Sequence, residues 1–438
     1  MNILKRVLLA GVFLVILCVS LFAVATSSPP SMRQRELITE AENFLEDGIY
    51  IFARPLLQDA AAISAEYTWE AQALLKKVYL ALDDHRNYIA LLETMMASPN
   101  ATPELFLDAA EYFVSRRRID NAFEVLHIGL ARFDTDDYGF EALDDFYESI
   151  RYAFELRRNF FEDVTLTYNG FIQVMRDGLW GIATYSGTLR IPYMYDSVST
   201  VSQGRVIAIY GDVIHAVDLA NRRIALLHED AQEIGNLSAN RISLMRNNAW
   251  IWATGELQAG QREYEELGMY SGGFAAAKVN GRWGLINVNQ DTVIPFEHDG
   301  IVTDELGRAF AQNAVFIREN DGVTLFIGNQ RTDIHFDDAR PFNTTGYAAV
   351  KRNGLWGFID SRGEIVFEPQ FEDARSFSQH LAGVRIENYW GYISHRGEVV
   401  IEPMFLEARD FYNGSAPVRT MQGWRFVTLL EYRRRLGL

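Results

Sequence analysis

One phrase returns at a fixed interval in the C-terminal half of this chain. Residues 347–379 read YAAVKRNGLWGFIDSRGEIVFEPQFEDARSFSQ, and residues 381–414 read LAGVRIENYWGYISHRGEVVIEPMFLEARDFYNG. The tryptophans keep the interval, since 390 − 356 = 34 and 424 − 390 = 34. A unit of this length cannot bury its own apolar face, so copies must stack on one another to make a core.

The chain breakers make the unit β rather than helical. Asp177-Gly178, Asn280-Gly281 and Asn353-Gly354 each separate two apolar-rich runs. Such pairs favour tight hairpins because both turn residues need positive φ. Arg362-Gly363 and Arg396-Gly397 supply a second turn, and Pro192, Pro295, Pro369 and Pro403 lie in the third run. A helix does not survive that density of Gly and Pro. Each unit therefore reads as a four-stranded antiparallel meander. In its second strand Trp390 and Tyr392 share one face and Gly391 and Ile393 the other, because strand side chains alternate. Glycine inside a strand implies a close approach. Its return at Gly181, Gly284, Gly357 and Gly391 points to a bulky neighbour, with Phe296, Phe371 and Phe405 as candidates. The tryptophans read as core, not as platforms for a ligand.

These residues resemble the bacterial WG-repeat family. The pattern N-G-x-W-G-h-I, G-x-h-h-x-E-P, F-x-x-A-x-x-F (h, hydrophobic) runs almost unbroken through the units at Trp356 and Trp390. The units at Trp180 and Trp283 keep its first half and the Pro. Three units are degenerate: Val213-Ile214-His215-Ala216 replaces Trp-Gly, Asn247-Asn248-Ala249-Trp250 keeps turn and Trp, and Asp321-Gly322-Val323-Thr324 keeps the turn. The resemblance covers roughly 161–426 and implies an interaction module with no known reaction. Cores at Trp180, Ile214, Trp250, Trp283, Thr324, Trp356, Trp390 and Trp424 count about eight blades. The last unit lacks its closing segment, and residues 161–170 match 405–414 at a constant offset, 405 − 161 = 244. Propeller closure is expected over an open β-solenoid, with Val164-Thr165-Leu166 pairing to the segment around 419–427.

Residues 33–160 carry a helical pattern instead. Leu37, Ala41, Phe44 and Leu45 fall on one helix face, and Gly48 breaks the run. Phe106, Ala109, Ala110 and Phe113 repeat the arrangement, followed by a polar turn at Arg116 to Asp120. Small residues recur together, since 110 − 41 = 69 and 122 − 53 = 69. This region resembles tetratricopeptide repeats, which implies helical hairpins, either with a peptide groove or as a spacer.

Lys5-Arg6 precede an apolar run from Val7 to Ala25, and breakers follow at Thr26 to Pro30. Residues 1–28 read as a signal peptide cleaved after Ala23-Val24-Ala25 or as an uncleaved N-terminal membrane anchor. Either places the remainder, a helical domain over 33–160 and a β domain over 161–438, outside the cytoplasm. The net charge of −17 opposes a general nucleic-acid footprint. Cys18 is the sole cysteine, so the folded part has no thiolate ligand and no disulfide.

No catalytic signature is found. The eight histidines show no metal-ligand spacing, and phosphate loops and nucleophile elbows are missing. Glu297, Glu368 and Glu402 could form a carboxylate ring but read as strand-end acids, with Arg375 and Arg409 as their surface partners. Arg433-Arg434-Arg435 reads as a solvated last element. The expectation is a non-enzymatic interaction or scaffold protein of the cell envelope, without cofactor or metal, binding a protein or polymer through its repeats. A lectin-like polysaccharide binder and a hydrolase with a site at a propeller pore are the alternatives.

Overall fold

The computed structural model describes residues 29–432 except 221, 228–230, 255–258, 310–312 and 344. The N-terminal segment at 1–28 and Arg433-Arg434-Arg435 lie outside the described residues. The chain divides into two compact units, 1–149 and 150–438.

Among the described residues the first unit contains seven helices: α1 (Pro30–Glu46), α2 (Tyr50–Ala62), α3 (Thr68–Ala81), α4 (His85–Met96), α5 (Pro103–Ser115), α6 (Ile119–Arg132) and α7 (Phe140–Ile150). Ala41, Ala53, Ala110 and Ala122 are all fully buried, which lets paired helices approach closely. The tight turns inside the hairpins recur too. Gly48, Asp83 and Arg117 all adopt the left-handed conformation. Only glycine takes it without a steric cost.

The second unit is a ring of eight four-stranded antiparallel sheets, a β-propeller. Blades 1 to 7 span 163–195, 197–227, 233–264, 266–298, 300–336, 338–371 and 373–405. Blade 8 takes three strands from 407–429 and its outermost from β1 (Phe154–Leu156), seven residues upstream of the 161 start read from the sequence. Each innermost strand has two residues, and in blades 2 and 4 to 8 it begins two residues after the outermost strand of the preceding blade. The sequence unit therefore straddles two blades, its Phe ending one and its next residues opening another.

The expected closure by Val164-Thr165-Leu166 is corrected accordingly. Val164 pairs with Val174 inside blade 1, whereas Leu156 pairs with Val427 of blade 8. The offset of 244 still has a physical meaning. Phe161 N–H donates to Trp424 O at 2.8 Å and Trp424 N–H to Phe161 O at 2.9 Å, the register that joins Phe405 to Trp390 in blade 7. Packing closes the ring as well. Eight apolar clusters lie between successive blades, including one of Phe161, Val164, Ile172, Trp424 and Phe426 at the seam.

The Trp-Gly pair has a different cause from the one expected. Between Trp356↔Phe371 and Phe358↔Phe367 one residue, Gly357, faces three, Glu368 to Gln370. The outermost strand bulges there, and a Cβ on Gly357 would lie 2.5 Å from Phe367 O. Gly181, Gly284 and Gly391 face the same kind of bulge, with Ile191 O, Ile294 O and Ile401 O at 2.5, 2.7 and 2.4 Å. What excludes a side chain is bulge backbone; an aromatic ring adds to it only at Gly284, where Phe296 lies 2.9 Å away. Pro192, Pro295, Pro369 and Pro403 each lie in these bulges on an outermost strand, where no ladder N–H is required. Where the glycine is replaced, by His215, Ile251 or Thr324, the residue pairs directly with Leu226, Glu263 or His335. The register shift then falls further along the strand, between Ala216 and Val217, Ile251 and Ala253, or Thr324 and Phe326. Blade 5 also corrects a register. Glu319 pairs with Gly322, so Asn320-Asp321 is the turn and Val323, not Thr324, holds the Trp position.

Three stability changes follow. Arg117→Gly, at an exposed left-handed position, should stabilise the helical unit by about 1 kcal/mol in urea melts. Gly391→Ala should destabilise the propeller by about 1–3 kcal/mol; an unchanged midpoint would remove the bulge argument. Phe161→Ala should cost about 3–5 kcal/mol and lower one cooperative transition, whereas an open array would fray at one end with its main transition unmoved.

Candidate functional site: the propeller centre and its turn face

The innermost strands and the loops after them line the centre of the ring. In blades 6, 7 and 8 these strands continue into an arginine: Ala339-Arg340, Ala374-Arg375 and Ala408-Arg409. Each guanidinium stacks over the tryptophan of its own blade, Arg340 on Trp356 at 5.0 Å, Arg375 on Trp390 at 5.6 Å and Arg409 on Trp424 at 4.8 Å. Stacking suits a planar, weakly hydrated cation. Arg340 also donates to Asp373 at 2.9 Å, and Arg375 to Glu407 at 3.2 Å, each an acid from the innermost strand of the next blade. Arg375 and Arg409 were expected at the surface beside Glu297, Glu368 and Glu402. Their side chains are instead only 11% and 9% exposed, while those three acids are exposed on outermost strands and do not converge. Burial lowers the Arg409 pKa to about 10. It also raises the carboxyl of neighbouring Asp410, despite Arg375 and Arg308 nearby.

Blade 5 breaks the pattern. Its first loop runs from Ile301 to Ala314 where blade 7 needs only Ala374 to Leu381. The extra chain folds into a tight turn: Asp304 Oδ1 accepts from Leu306 N–H at 2.9 Å and Arg308 N–H at 3.0 Å, and Arg308 Nε–H donates to Asp304 Oδ2 at 2.6 Å. The turn pushes Leu306 between Leu166 of blade 1 and Met269 of blade 4. Met269 N–H donates to Gly307 O at 2.9 Å, and Asn236 of blade 3 reaches Leu306 O at 3.2 Å. Glu305 points the other way, to Arg375 and Arg409. A cavity of about 410 Å³ remains beside the loop, bordered by Tyr168, Arg340, Arg375, Asp410 and Tyr412. The signal for the insertion was present in the spacing, since 323 − 283 = 40 against 33 to 36 elsewhere. It was hidden by the lost tryptophan.

The opposite face carries the hairpin turns. In seven blades the residue linking one blade to the next, Glu162, Asp196, Gln232, Glu265, Asp299, Asp337 or Glu372, accepts a hydrogen bond from a turn N–H. Blade 8 has Leu406 at that place and Met421-Gln422 as its turn. Leu406 N–H donates to Arg419 O at 2.9 Å, and Phe160 lies against Gly423, so all three border one turn. Leu406, Met421 and Phe160 are 42%, 89% and 49% exposed. Among the described residues no group of three or more His, Cys, Asp or Glu is placed to hold a metal ion.

The predicted signature residues lie on the third and outermost strands of their blades. Trp356, Trp390 and Trp424 are buried, while Trp180 and Trp283 are partly buried. No curated protein matches the sequence. Among solved structures, PorZ, a surface component of the type-IX secretion system of Porphyromonas gingivalis, is 11% identical over 59% of this chain at a TM-score of 0.35. The chain spans 42% of the length of PorZ. BamB from Moraxella catarrhalis is 9% identical over 63% of this chain and 94% of its own, at 0.39. The Pan2 WD40 domain of Neurospora crassa is 11% identical over 61% and 88%, at 0.32. Scores this low carry no functional argument. The model of the WG containing repeat matches residues 261–283, 328–356, 356–390 and 390–423. With the Trp-Gly and Pro-bulge geometry on strands of that region, residues 261–423 carry four WG containing repeats, and they form part of a ring that closes as an eight-bladed propeller.

Proposed function

We propose that this is a non-catalytic interaction protein that docks a protein partner on the turn face of its propeller at blade 8. The observation carrying this reading is the apolar group of Leu406, Met421 and Phe160, which replaces the polar cap of the other seven blades. Contiguous apolar surface within a polar face marks a contact site. The centre of the ring supports a binding role better than a hydrolytic one. Asp304, Glu305 and Asp338 there are held by arginines, and the inserted loop fills part of the channel. The apolar run after Lys5-Arg6 supports export of both units to the cell envelope, where a protein or polymer partner would meet them. No helix among the described residues is long and apolar enough to cross a membrane.

A photo-crosslinking residue at Met421 of the full-length protein in cells should yield a discrete protein adduct, lost in a Leu406→Asp background. The same residue at Asn388, on the capped turn of blade 7, should yield none; equal yields at both would remove the reading. A reporter active only in the cytoplasm, fused after Leu438, should be inactive, and activity there would overturn the location.

A further inference from the structure

Glu305 occupies a position that the rest of the propeller does not require. Arg340, Arg375 and Arg409 each already face an acid from the next blade: Asp373, Glu407 and, by charge attraction, Asp163. Glu305 comes in addition, from the insertion confined to blade 5. Two buried guanidiniums converge on its carboxylate, and the fit is incomplete. Arg409 Nη1 is in ion-pair contact with Glu305 Oε1, and Nε of both arginines lacks a hydrogen-bond partner. Glu305 is itself 40% exposed, so rotation of its side chain suffices to vacate the place. The loop would stay anchored through Leu306 and Gly307.

We propose that the cavity at the propeller centre binds a small carboxylate-bearing ligand, whose carboxylate takes the place of Glu305 between Arg375 and Arg409. Guanidinium pairs favour a freely oriented carboxylate because they can bind it through two parallel hydrogen bonds. The site is largely desolvated, so the attraction is screened less than at the surface. A volume of about 410 Å³ admits a small molecule, within the usual range of ligand sites. Tyr168 and Tyr412 border the remainder of the cavity. Glu407 already pairs with both guanidiniums, and burial raises the carboxyl of Asp410 on the cavity wall, which weakens its repulsion of an incoming anion. Glu305 on this view is a built-in competitor.

The test uses full-length protein and glutarate, whose carboxylate copies that of Glu305. By calorimetry, Glu305→Ala should bind glutarate at least tenfold more tightly than the unmodified protein. Its Tm, lowered by the loss of Glu305, should recover as glutarate is added. Arg375→Lys with Arg409→Lys in the Glu305→Ala background keeps the charge but loses the planar forks, and should abolish the gain. Equal or undetectable glutarate binding in the unmodified and Glu305→Ala proteins would overturn the proposal. So would binding of 1,5-diaminopentane in place of glutarate, which would show that the acids of the cavity, not its arginines, define the site.

Discussion

Every blade of this propeller depends on having a neighbour on both sides. In blade 7, Trp390 and Tyr392 pack towards blade 8, while Ile393 packs towards blade 6. A sheet buried on both faces cannot stand at the end of a row without exposing one of them. The array therefore has to close. Its closure rests on Phe161, which is hydrogen-bonded to Trp424 and packed edge-on against Phe426 at 5.6 Å. The hydrogen bonds join the first and last parts of the β unit, and the burial makes the join worth keeping.

The family signature is a statement about one distortion. A bulge in the outermost strand brings its backbone over the third strand, and only glycine leaves room for it. Proline is tolerated in the bulge because that strand has a free edge. In blades 2, 3 and 5, which lack the glycine at that place, the bulge is displaced along the strand: it lies between Ala216 and Val217, opposite Trp252 and opposite Leu325. These degenerate repeats remain sound blades because the displaced bulge leaves a directly paired residue, and so room for a side chain, at the former glycine position.

Departures from the repeat occur where the molecule differs from a uniform ring. The insertion of blade 5 crosses the centre and sets Glu305 against two buried arginines. The exchange of a polar cap for Leu406 leaves the turn of blade 8 bordered by apolar side chains. The scaffold is periodic and the candidate binding features are not, as expected of function grafted on to a fold.

The sequence alone determined the two-part organisation, the helical hairpins, the β character of the second unit and its eight blades. Each rests on local chemistry: alanines and a glycine at helical spacing, Asn-Gly and Asp-Gly turns, and a tryptophan clock. It also identified the 161–170 segment as belonging to the seam. Tertiary structure decided what local pattern cannot express. The boundary between repeat and blade depends on which strand pairs across the gap, so β1 was invisible: its three residues carry no signature and gain strand form only by pairing with 427–429. The surroundings of Arg375 and Arg409 were likewise undetermined, because an arginine after a two-residue strand reads as solvent-facing until the ring closes around it. Convergence at the centre is a property of closure, and closure is made by contacts between residues far apart in the chain.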